Sequence, residues 1–335
     1  MLENRNSSNP AIDIAFTRPH TGRNVKAARE ITLDRSRIGG KAAGLLALQD
    51  AGLPVPPFSL IPCDLWRKGN LDLLTKLDGL TSELDVASDA FTRRILTARL
   101  RKTISEVPPP PNFVEFSEYW VAEHGSSPFT FVRSSAATED RFTDSSAGQY
   151  TSLPVPTAVG SLLKAQMEVT ASYYTDRAVM YRRARRLPQC GPAMGIILQR
   201  AISPVASGVM FGCDPVSNDM SVIVVEATHG LGTALVEGRT TPDRWRLIKR
   251  TGDVQHYAPG RNQRRHILSE RGILEEDVPS EVQVAQVLND QAIRMLWSIY
   301  REVEKLFGIP QDVEWLQDQS QVWVVQSRAV TTTSL

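Results

Sequence analysis

The stretch Asp312–Arg328, DVEWLQDQSQVWVVQSR, has the pattern of two β-strands joined by a tight turn. Apolar and polar residues alternate on both sides of the turn-forming residues 318–320. A three-residue loop at these positions pairs the strands so that Asp312 lies opposite Gln326. An even-numbered loop would turn the polar residues of the two strands to opposite faces unless a bulge compensated for it. The segment therefore predicts a β-hairpin with a defined register.

The predicted hairpin has a polar face and an apolar face, because side chains in a strand alternate with period 2. The polar face contains Asp312, Glu314, Gln326 and Arg328. The apolar face, which we expect to be core, contains Val313, Trp315, Trp323 and Val325. Carboxylate and amide oxygens are ligands that Mg²⁺ accepts, and a guanidinium suits phosphate oxygens. The alternative is a solvated polar face, and alternation alone does not choose between them.

A second candidate is Ile38-Gly39-Gly40-Lys41, at the start of a helix predicted to stop at Gly52. A glycine pair before a helix lets backbone amides approach a phosphate, and the lysine adds a positive charge. The segment is not a P-loop, because Arg35 stands at the first glycine position and Ala42 replaces the Ser or Thr that would hold magnesium. A purely structural turn is the alternative.

Arg133 lies near the end of a predicted strand, PFTFVRSS (128–135), which leads into a loop rich in Ser, Asp and Gly. Such an arginine is a candidate phosphate clamp. It could equally pair with Glu139 or Asp140 to hold the loop. A further glycine-rich turn, His229–Thr233, lacks the third glycine of a dinucleotide fingerprint, so a Rossmann site is not expected. A ligand contact at this turn remains open.

A basic run formed by Arg182, Arg183, Arg185 and Arg186 ends a segment, 157–186, that we predict to be one long helix. We interpret the run as a solvated helix end, where positive charge is favoured by the helix dipole. Contact with a nucleotide or nucleic acid is the alternative.

The composition excludes several classes of function. The 335 residues include 38 Lys and Arg against 37 Asp and Glu, and this balance argues against broad neutralisation of nucleic-acid phosphates. The three cysteines form no CxxC pair and the five histidines no HExxH or HxH spacing, so we expect neither a disulfide framework nor a zinc site. No apolar signal segment or run of about 20 apolar residues is present. We therefore predict a cytoplasmic protein without nucleic-acid or membrane partners.

Six segments, in order, resemble the nucleotide-binding part of the phosphoenolpyruvate synthase and pyruvate phosphate dikinase family, which also includes rifampin phosphotransferase. They cover most of residues 38–332 and are IGGKAAGLLALQDAGLPVPPFSLIP, FVRSSAATED with SSAGQYTSL, ASYYTDRAVMYRR, SGVMFGCDPVS, EATHGLGTALVEGRTTPDRW and DVEWLQDQSQVWVVQSRAVTT. The resemblance implies an α+β, two-lobed, ATP-grasp-like fold with ATP between the lobes. We expect a polar extension at 1–30, an N-terminal lobe at 31–192 and a C-terminal lobe with the metal-binding hairpin at 193–335.

The resemblance also implies a nucleotide site of seven residues, which are Lys41, Arg133, Gln199, Asp312, Glu314, Gln326 and Arg328. In this assignment Lys41, Arg133 and Arg328 are the catalytic residues that bind and polarise the phosphates. Glu314 and Gln326 are the Mg²⁺ ligands, with Asp312 beside them at the phosphates. Gln199 lies near the adenine.

The sequence departs from the family pattern in ways that leave the acceptor open. Ala42 follows GGK, Ala201 replaces a common methionine, and Thr233 stands where an acidic residue is common. We identify no phosphohistidine domain and no pyruvate-binding barrel. We predict an ATP- and Mg²⁺-dependent phosphotransferase whose acceptor is a hydroxyl or amine of a small molecule, or a histidine on a separate carrier protein. The alternative is a non-catalytic ATP sensor or scaffold, which would not need the full set of phosphate and metal ligands.

Overall fold

A computed structural model describes residues 35–330, except for 69, 137–150, 190, 192, 193, 271 and 284. The described chain is an α+β structure with two antiparallel sheets, one in each lobe, and a separate two-stranded hairpin. This confirms the predicted fold class. The predicted extension at 1–30 lies outside the described residues, as do Glu139 and Asp140 of the loop after Arg133.

The N-terminal lobe packs a four-stranded sheet, in the order β1-β4-β2-β3, against helices. Its strands are β1 (Phe58–Ile61), β2 (Phe129–Ala136), β3 (Ser152–Pro156) and β4 (Met194–Arg200). Its helices are α1 (Arg35–Ile38), α2 (Gly40–Asp50), α3 (Cys63–Lys68), α4 (Leu71–Val86), α5 (Ala90–Glu106), α6 (Pro111–His124), α7 (Val159–Ala171) and α8 (Asp176–Ala184), with a short 3₁₀ helix at Ser172–Tyr174.

The C-terminal lobe contains a six-stranded sheet in the order β12-β11-β5-β6-β7-β8. Its strands are β5 (Ala206–Phe211), β6 (Val222–His229), β7 (Asp243–Ile248), β8 (Val254–Ala258), β11 (Gln311–Gln317) and β12 (Val322–Ala329). The separate hairpin pairs β9 (Arg264–Ser269) with β10 (Gly272–Asp277). The helices of this lobe are α9 (Thr233–Val236), α10 (Ser280–Gln283) and α11 (Asp290–Phe307).

The boundary between the lobes differs from the predicted one. The prediction placed residues from 193 onward in the C-terminal lobe, but β4 pairs with β1 and β2 inside the first sheet. The chain crosses between the lobes at 201–205, after β4 and before β5. Strand pairing between distant segments decided this, and the local pattern of residues 194–200 carries no information about it.

Helix α11 leaves one face of the six-stranded sheet open. Asn289 caps the helix by accepting a hydrogen bond from the Ala292 amide at 2.8 Å, and Gly308 ends it in the left-handed conformation with φ of 72°. The buried side of the helix packs on one face of the sheet and contains Ile293, Leu296, Tyr300 and Val303. The other face of the sheet is therefore left to the cleft between the lobes.

The hairpin β11–β12 has a different register from the predicted one. Its loop has four residues, 318–321, because Gln317 pairs with Val322. The Asp318 carboxylate organises this loop by accepting hydrogen bonds from the Ser320 amide at 2.7 Å and the Gln321 amide at 2.9 Å. A bulge at Val325 then restores the alternation, so Glu314 lies opposite Gln326 and Asp312 opposite Arg328.

Because the bulge compensates for the even-numbered loop, the predicted polar face is retained, although the predicted pairing of Asp312 with Gln326 is wrong. Val313 and Trp315 are buried in the core, as expected. The other two core positions are Val322 and Val324, in place of the predicted Trp323 and Val325. Residues 322–325 therefore face the side opposite to the predicted one. The four-residue loop shifts the register by one residue, and the bulge at Val325 restores it only from Gln326 onward.

The segment predicted as one long helix is broken into α7, a 3₁₀ turn and α8, and its basic run is not a simple solvated end. Arg182 is fully buried, with its guanidinium carbon 3.8 Å from the centre of the Tyr173 ring. Its Nε donates a hydrogen bond to Gln189 at 3.0 Å. Arg182 therefore has a structural role that neither interpretation of the sequence anticipated. Within the described residues, no helix has both the length and the apolarity to cross a membrane.

Candidate functional site

A cleft of about 450 Å³ lies between the two sheets and is lined by residues of both lobes. This volume falls in the range of small-molecule sites. All seven residues predicted to form the site line it: Lys41, Arg133, Gln199, Asp312, Glu314, Gln326 and Arg328. The structure thus brings together side chains that are separated by up to 287 positions (41 to 328) in the chain.

Arg133 connects the two lobes across the cleft. It lies on β2, is only 8% exposed, and donates a hydrogen bond from Nη1 to Gln199 Oε1 at 2.7 Å. It also donates to the Val325 carbonyl at 2.9 Å and to Gln326 Oε1 at 2.8 Å, both on the C-terminal hairpin. The sequence singled out the guanidinium as a phosphate clamp and gave no sign of this link to Gln326.

The side-chain amide of Gln199 has a hydrogen-bonded oxygen and a nitrogen that can still donate to a ligand. Its Oε1 accepts from Arg133, whereas its Nε2 is buried and has no hydrogen-bond partner among the described residues. Since an unpaired buried donor is costly, a ligand that offers an acceptor to Nε2 would be favoured. This arrangement suits the expected location near a nucleobase.

The polar face of the hairpin contains two pairs of residues at facing strand positions. Arg328 donates hydrogen bonds from Nε, at 2.7 Å, and from Nη2 to Asp312 Oδ2. Asp312 therefore orients Arg328, in addition to lining the cleft itself. Next to this pair, Glu314 lies opposite Gln326, and within the described part of the chain its carboxylate forms no hydrogen bond or ion pair.

The pair Glu314 and Gln326 fits a magnesium ion by its chemistry. A carboxylate and an amide oxygen at facing positions are hard oxygen donors of the kind that Mg²⁺ prefers. Gln326 Oε1 already accepts from Arg133, so the carbonyl oxygen has one lone pair left for a metal. The described residues contain no cluster of three or more His, Cys, Asp or Glu side chains suited to a metal. A metal here would consequently need phosphate or water oxygens as further ligands.

The turn before Lys41 has a packing role that the sequence left undecided. Gly39 has φ of 83°, and a Cβ at this position would lie 2.0 Å from the Ser135 carbonyl oxygen. The Ala42 amide at the start of α2 donates to Ser135 Oγ at 3.0 Å. The glycine therefore lets α2 approach β2, which positions Lys41 on the cleft. The Ala42 amide is already engaged by protein, so it is not among the amides that could hold a phosphate.

Sequence reasoning missed apolar residues that line the cleft. They lie at the crossover between the lobes, in the turn and short helix after β6, and on β11, and they are Ile202, Pro204, Leu231, Leu235 and Leu316. The cationic side chains Lys41, Arg133 and Arg328 line the cleft as well. A nucleotide likewise combines an apolar base with an anionic tail. The glycine-rich turn at 229–233 was the one signal in the sequence that pointed to this wall.

An additional carboxylate lies on the same sheet face as Glu314. Glu226 on β6 is separated from Glu314 by Val209 in the strand register. Burial raises the pKa of the Glu226 carboxyl, and the guanidinium of Arg244, 3.8 Å away, opposes this rise. The open face of the sheet is therefore charged beyond the cleft itself.

The two lobes and the cleft between them have the form of a nucleotide-binding domain. A family model described as the pyruvate phosphate dikinase, AMP/ATP-binding domain matches residues 35–335. The chain therefore belongs to this family of AMP/ATP-binding domains, as its six sequence segments indicated. Its two-lobed α+β architecture accords with the ATP-grasp-like fold expected from the resemblance.

Relatives of this chain are named as phosphoryl-transfer enzymes. A probable phosphoenolpyruvate synthase from Methanocaldococcus jannaschii is 31% identical over 88% of this chain and 25% of its own length. A rifampicin phosphotransferase from Streptomyces sviceus is 34% identical over 88% of this chain and 34% of its own length. The chain thus spans between a quarter and about a third of these relatives. A D-alanyl-alanine synthetase A from Vibrio cholerae aligns over 90% of this chain and 58% of its own, at 9% identity and a TM-score of 0.38, too distant to support an inference.

Proposed function

We propose that this chain binds Mg-ATP between its lobes and transfers a phosphoryl group to an acceptor. One observation carries the proposal. Three cationic side chains, Lys41 and Arg133 from one lobe and Arg328 from the other, line a single cleft with the Glu314 carboxylate. A non-catalytic nucleotide sensor needs affinity for ATP, whereas cations and a metal ligand converging on one cleft suit transfer of a phosphoryl group.

The chemistry asked of these residues is positioning and electrostatic stabilisation. Phosphoryl transfer requires little covalent chemistry from the protein, and charge on the transferred oxygens must be neutralised. Lys41, Arg133 and Arg328 would bind the phosphates and stabilise that charge. Glu314 and Gln326 would hold Mg²⁺, which supplies charge neutralisation and orients the phosphate oxygens when bound.

Arg133 would exchange partners when ATP binds. In the structure its guanidinium donates to two side-chain amide oxygens, those of Gln199 and Gln326. Phosphate oxygens are stronger acceptors than amide oxygens because they are charged. Transfer of the guanidinium to phosphate would remove a competing donor from Gln326 Oε1, so that both lone pairs of this oxygen would be available at the metal site. Nucleotide binding and metal binding would therefore be coupled through Arg133.

Two acceptor routes are compatible with this site. In the first, a small-molecule hydroxyl or amine attacks the terminal phosphate of ATP and ADP is released. In the second, which follows from the family resemblance, a histidine on a separate carrier protein receives one phosphoryl group, the other is transferred to water as inorganic phosphate, and AMP is the nucleotide product. The relatives named above as phosphotransferase and phosphoenolpyruvate synthase support phosphoryl transfer without choosing between these routes.

The first experiment measures binding of ATP by calorimetry with Mg²⁺ and with EDTA. The wild type should bind Mg-ATP, and Glu314→Gln should lose the dependence on Mg²⁺ because it replaces the carboxylate by a neutral amide of the same shape. Glu83→Gln, on the exposed side of α4, is the matched control and should behave as wild type. Absence of ATP binding by the folded wild type would refute the proposal, and an unchanged Mg²⁺ dependence in Glu314→Gln would refute the metal assignment.

The second experiment follows turnover by ³¹P NMR with Mg-ATP and a cell extract, which reveals ADP, AMP and any new phosphorus resonance. Lys41→Met should remain folded and lose about 10²–10³ in rate, the usual effect of removing one preorganised electrostatic contact. Wild-type turnover in this variant would show that the site is misplaced. Binding of Mg-ATP without consumption in the presence of any extract would favour the ATP sensor or scaffold.

A further inference from the structure

The wall of the cleft formed by the turn after β6 presents one hydroxyl among apolar side chains. Thr233, at the first position of α9, lines the cleft between Leu231 and Leu235. The crossover residues Ile202 and Pro204 line the same cleft. These apolar side chains suit the nucleoside part of ATP and not its triphosphate.

A buried histidine fixes the orientation of this hydroxyl. His266 on β9 is 5% exposed, and its Nδ1 lies 2.7 Å from Thr233 Oγ1. The backbone locks the pair in place, because the Leu231 amide donates to the His266 carbonyl at 2.8 Å. A Cβ on Gly230, which has φ of 69°, would lie 2.4 Å from the same carbonyl, so only glycine allows this close approach.

The hydrogen bond to His266 leaves Thr233 Oγ1 able to accept from a ligand. A hydroxyl oxygen carries one proton and two lone pairs, so at least one lone pair remains whichever of the two atoms donates to the other. The hydroxyl can therefore accept from a ligand N–H or O–H group.

A second acceptor lies directly after this short helix. The exposed Glu237 also lines the cleft, and its carboxylate forms an ion pair with Arg239 at 2.9 Å. Two acceptors on one wall, the outer one in contact with solvent, match the pair of hydroxyl donors on a ribose.

We propose that Thr233 recognises the sugar of the nucleotide, with its Oγ1 accepting a hydrogen bond from a ribose hydroxyl. His266 acts as a positioning residue that holds the hydroxyl in place. The inference rests on the proposed function, since it requires ATP in this cleft. Its consequence is selectivity for ribonucleotides over deoxyribonucleotides.

The test compares calorimetric affinities for Mg-ATP, Mg-2′-deoxyATP, Mg-3′-deoxyATP and the Mg-triphosphate of purine riboside, which lacks the 6-amino group. The wild type should bind one of the deoxy nucleotides about two- to tenfold more weakly than ATP, the effect of one hydrogen bond. Thr233→Val should bind ATP and both deoxy nucleotides with affinities within about twofold of one another. Thr233→Ser, which keeps the hydroxyl, should retain the preference for ATP.

Two further variants separate recognition from folding. His266→Phe removes Nδ1 and keeps a ring, and its ratio of ATP to deoxyATP affinity should fall toward that of Thr233→Val, whereas a merely structural residue would change all affinities alike. Thr75→Val, on the exposed side of α4, is the control and should match wild type. Equal binding of ATP and both deoxy nucleotides by the wild type would overturn the inference. So would a Thr233 variant that alters only the response to the missing 6-amino group. If no nucleotide binds the folded protein, the proposed ATP site itself fails.

Discussion

Replacement of Arg133 by methionine is expected to destabilise the nucleotide-free protein, in addition to any effect on catalysis. The guanidinium is 8% exposed and donates hydrogen bonds to the side chains of Gln199 and Gln326 and to the Val325 carbonyl. Methionine has nearly the same length and removes all three donors. The substitution therefore leaves three acceptors near the cleft without their partner and removes one of the contacts between the lobes, which are also joined by the hydrogen bond from the Val324 amide to the Pro54 carbonyl.

The size of the effect follows from these contacts. A buried acceptor that loses its donor costs about 1–3 kcal/mol. The lower end applies, because the two glutamine side chains can rotate and water can enter the cleft, so three acceptors give a loss of about 3 kcal/mol in the free energy of unfolding. Arg99→Met is the matched control, because Arg99 is exposed on α5. It should change stability by less than about 0.5 kcal/mol.

Urea unfolding at neutral pH without nucleotide measures both variants. The double variant Arg133→Met/Gln326→Leu adds a direct test, because residues in contact should show a coupling energy of about 0.5–3 kcal/mol. A free energy of unfolding for Arg133→Met within about 1 kcal/mol of Arg99→Met would refute the reasoning, as would strict additivity in the double variant. If the prediction holds, a loss of activity in Arg133→Met reflects both lower stability and impaired catalysis. Lys41→Met is then the better variant for measuring the contribution of phosphate binding.

Three further predictions concern other positions of the fold. Gly39→Ala should lower the free energy of unfolding by about 2 kcal/mol or more and weaken ATP binding, because its Cβ would overlap the Ser135 carbonyl at a positive φ. The control is Gly79→Ala, inside α4 with open space around it, which should leave the free energy of unfolding in urea unchanged or raise it. Burial alone would raise the pKa of Asp318, but hydrogen bonds from Ser320 and Trp323 outweigh it and lower the pKa to about 2. Its stabilising effect is therefore full above its ordinary pKa and lost as the pH falls through about 2, so the stability difference between wild type and Asp318→Ala should shrink over that interval and not between pH 5 and 8. Arg182→Met should lower the melting temperature without changing nucleotide affinity, because Arg182 packs on Tyr173 and bonds Gln189 away from the cleft; an altered affinity for Mg-ATP in the folded variant would contradict this role.

The sequence by itself determined which residues share the polar face of the hairpin. Period-2 alternation is a local property of a strand, so Asp312 and Glu314 fall on one face whatever the rest of the fold does. The six ordered segments likewise identified the family and selected seven residues that all line one cleft. Both inferences depend on patterns that are written along short stretches of chain.

The tertiary structure decided the partners within that cleft. The loop at 318–321 has four residues because Asp318 bonds two amides of the turn, and the bulge at Val325 compensates for it. The assignment of β4 to the first sheet and the bond from Arg133 to Gln326 each join segments far apart in the chain. The energy of such contacts depends on which surfaces meet after folding, and no local pattern of residues specifies that. For the same reason, the hydrogen bond of Thr233 to His266 could be found only once the turn after β6 was packed against β9.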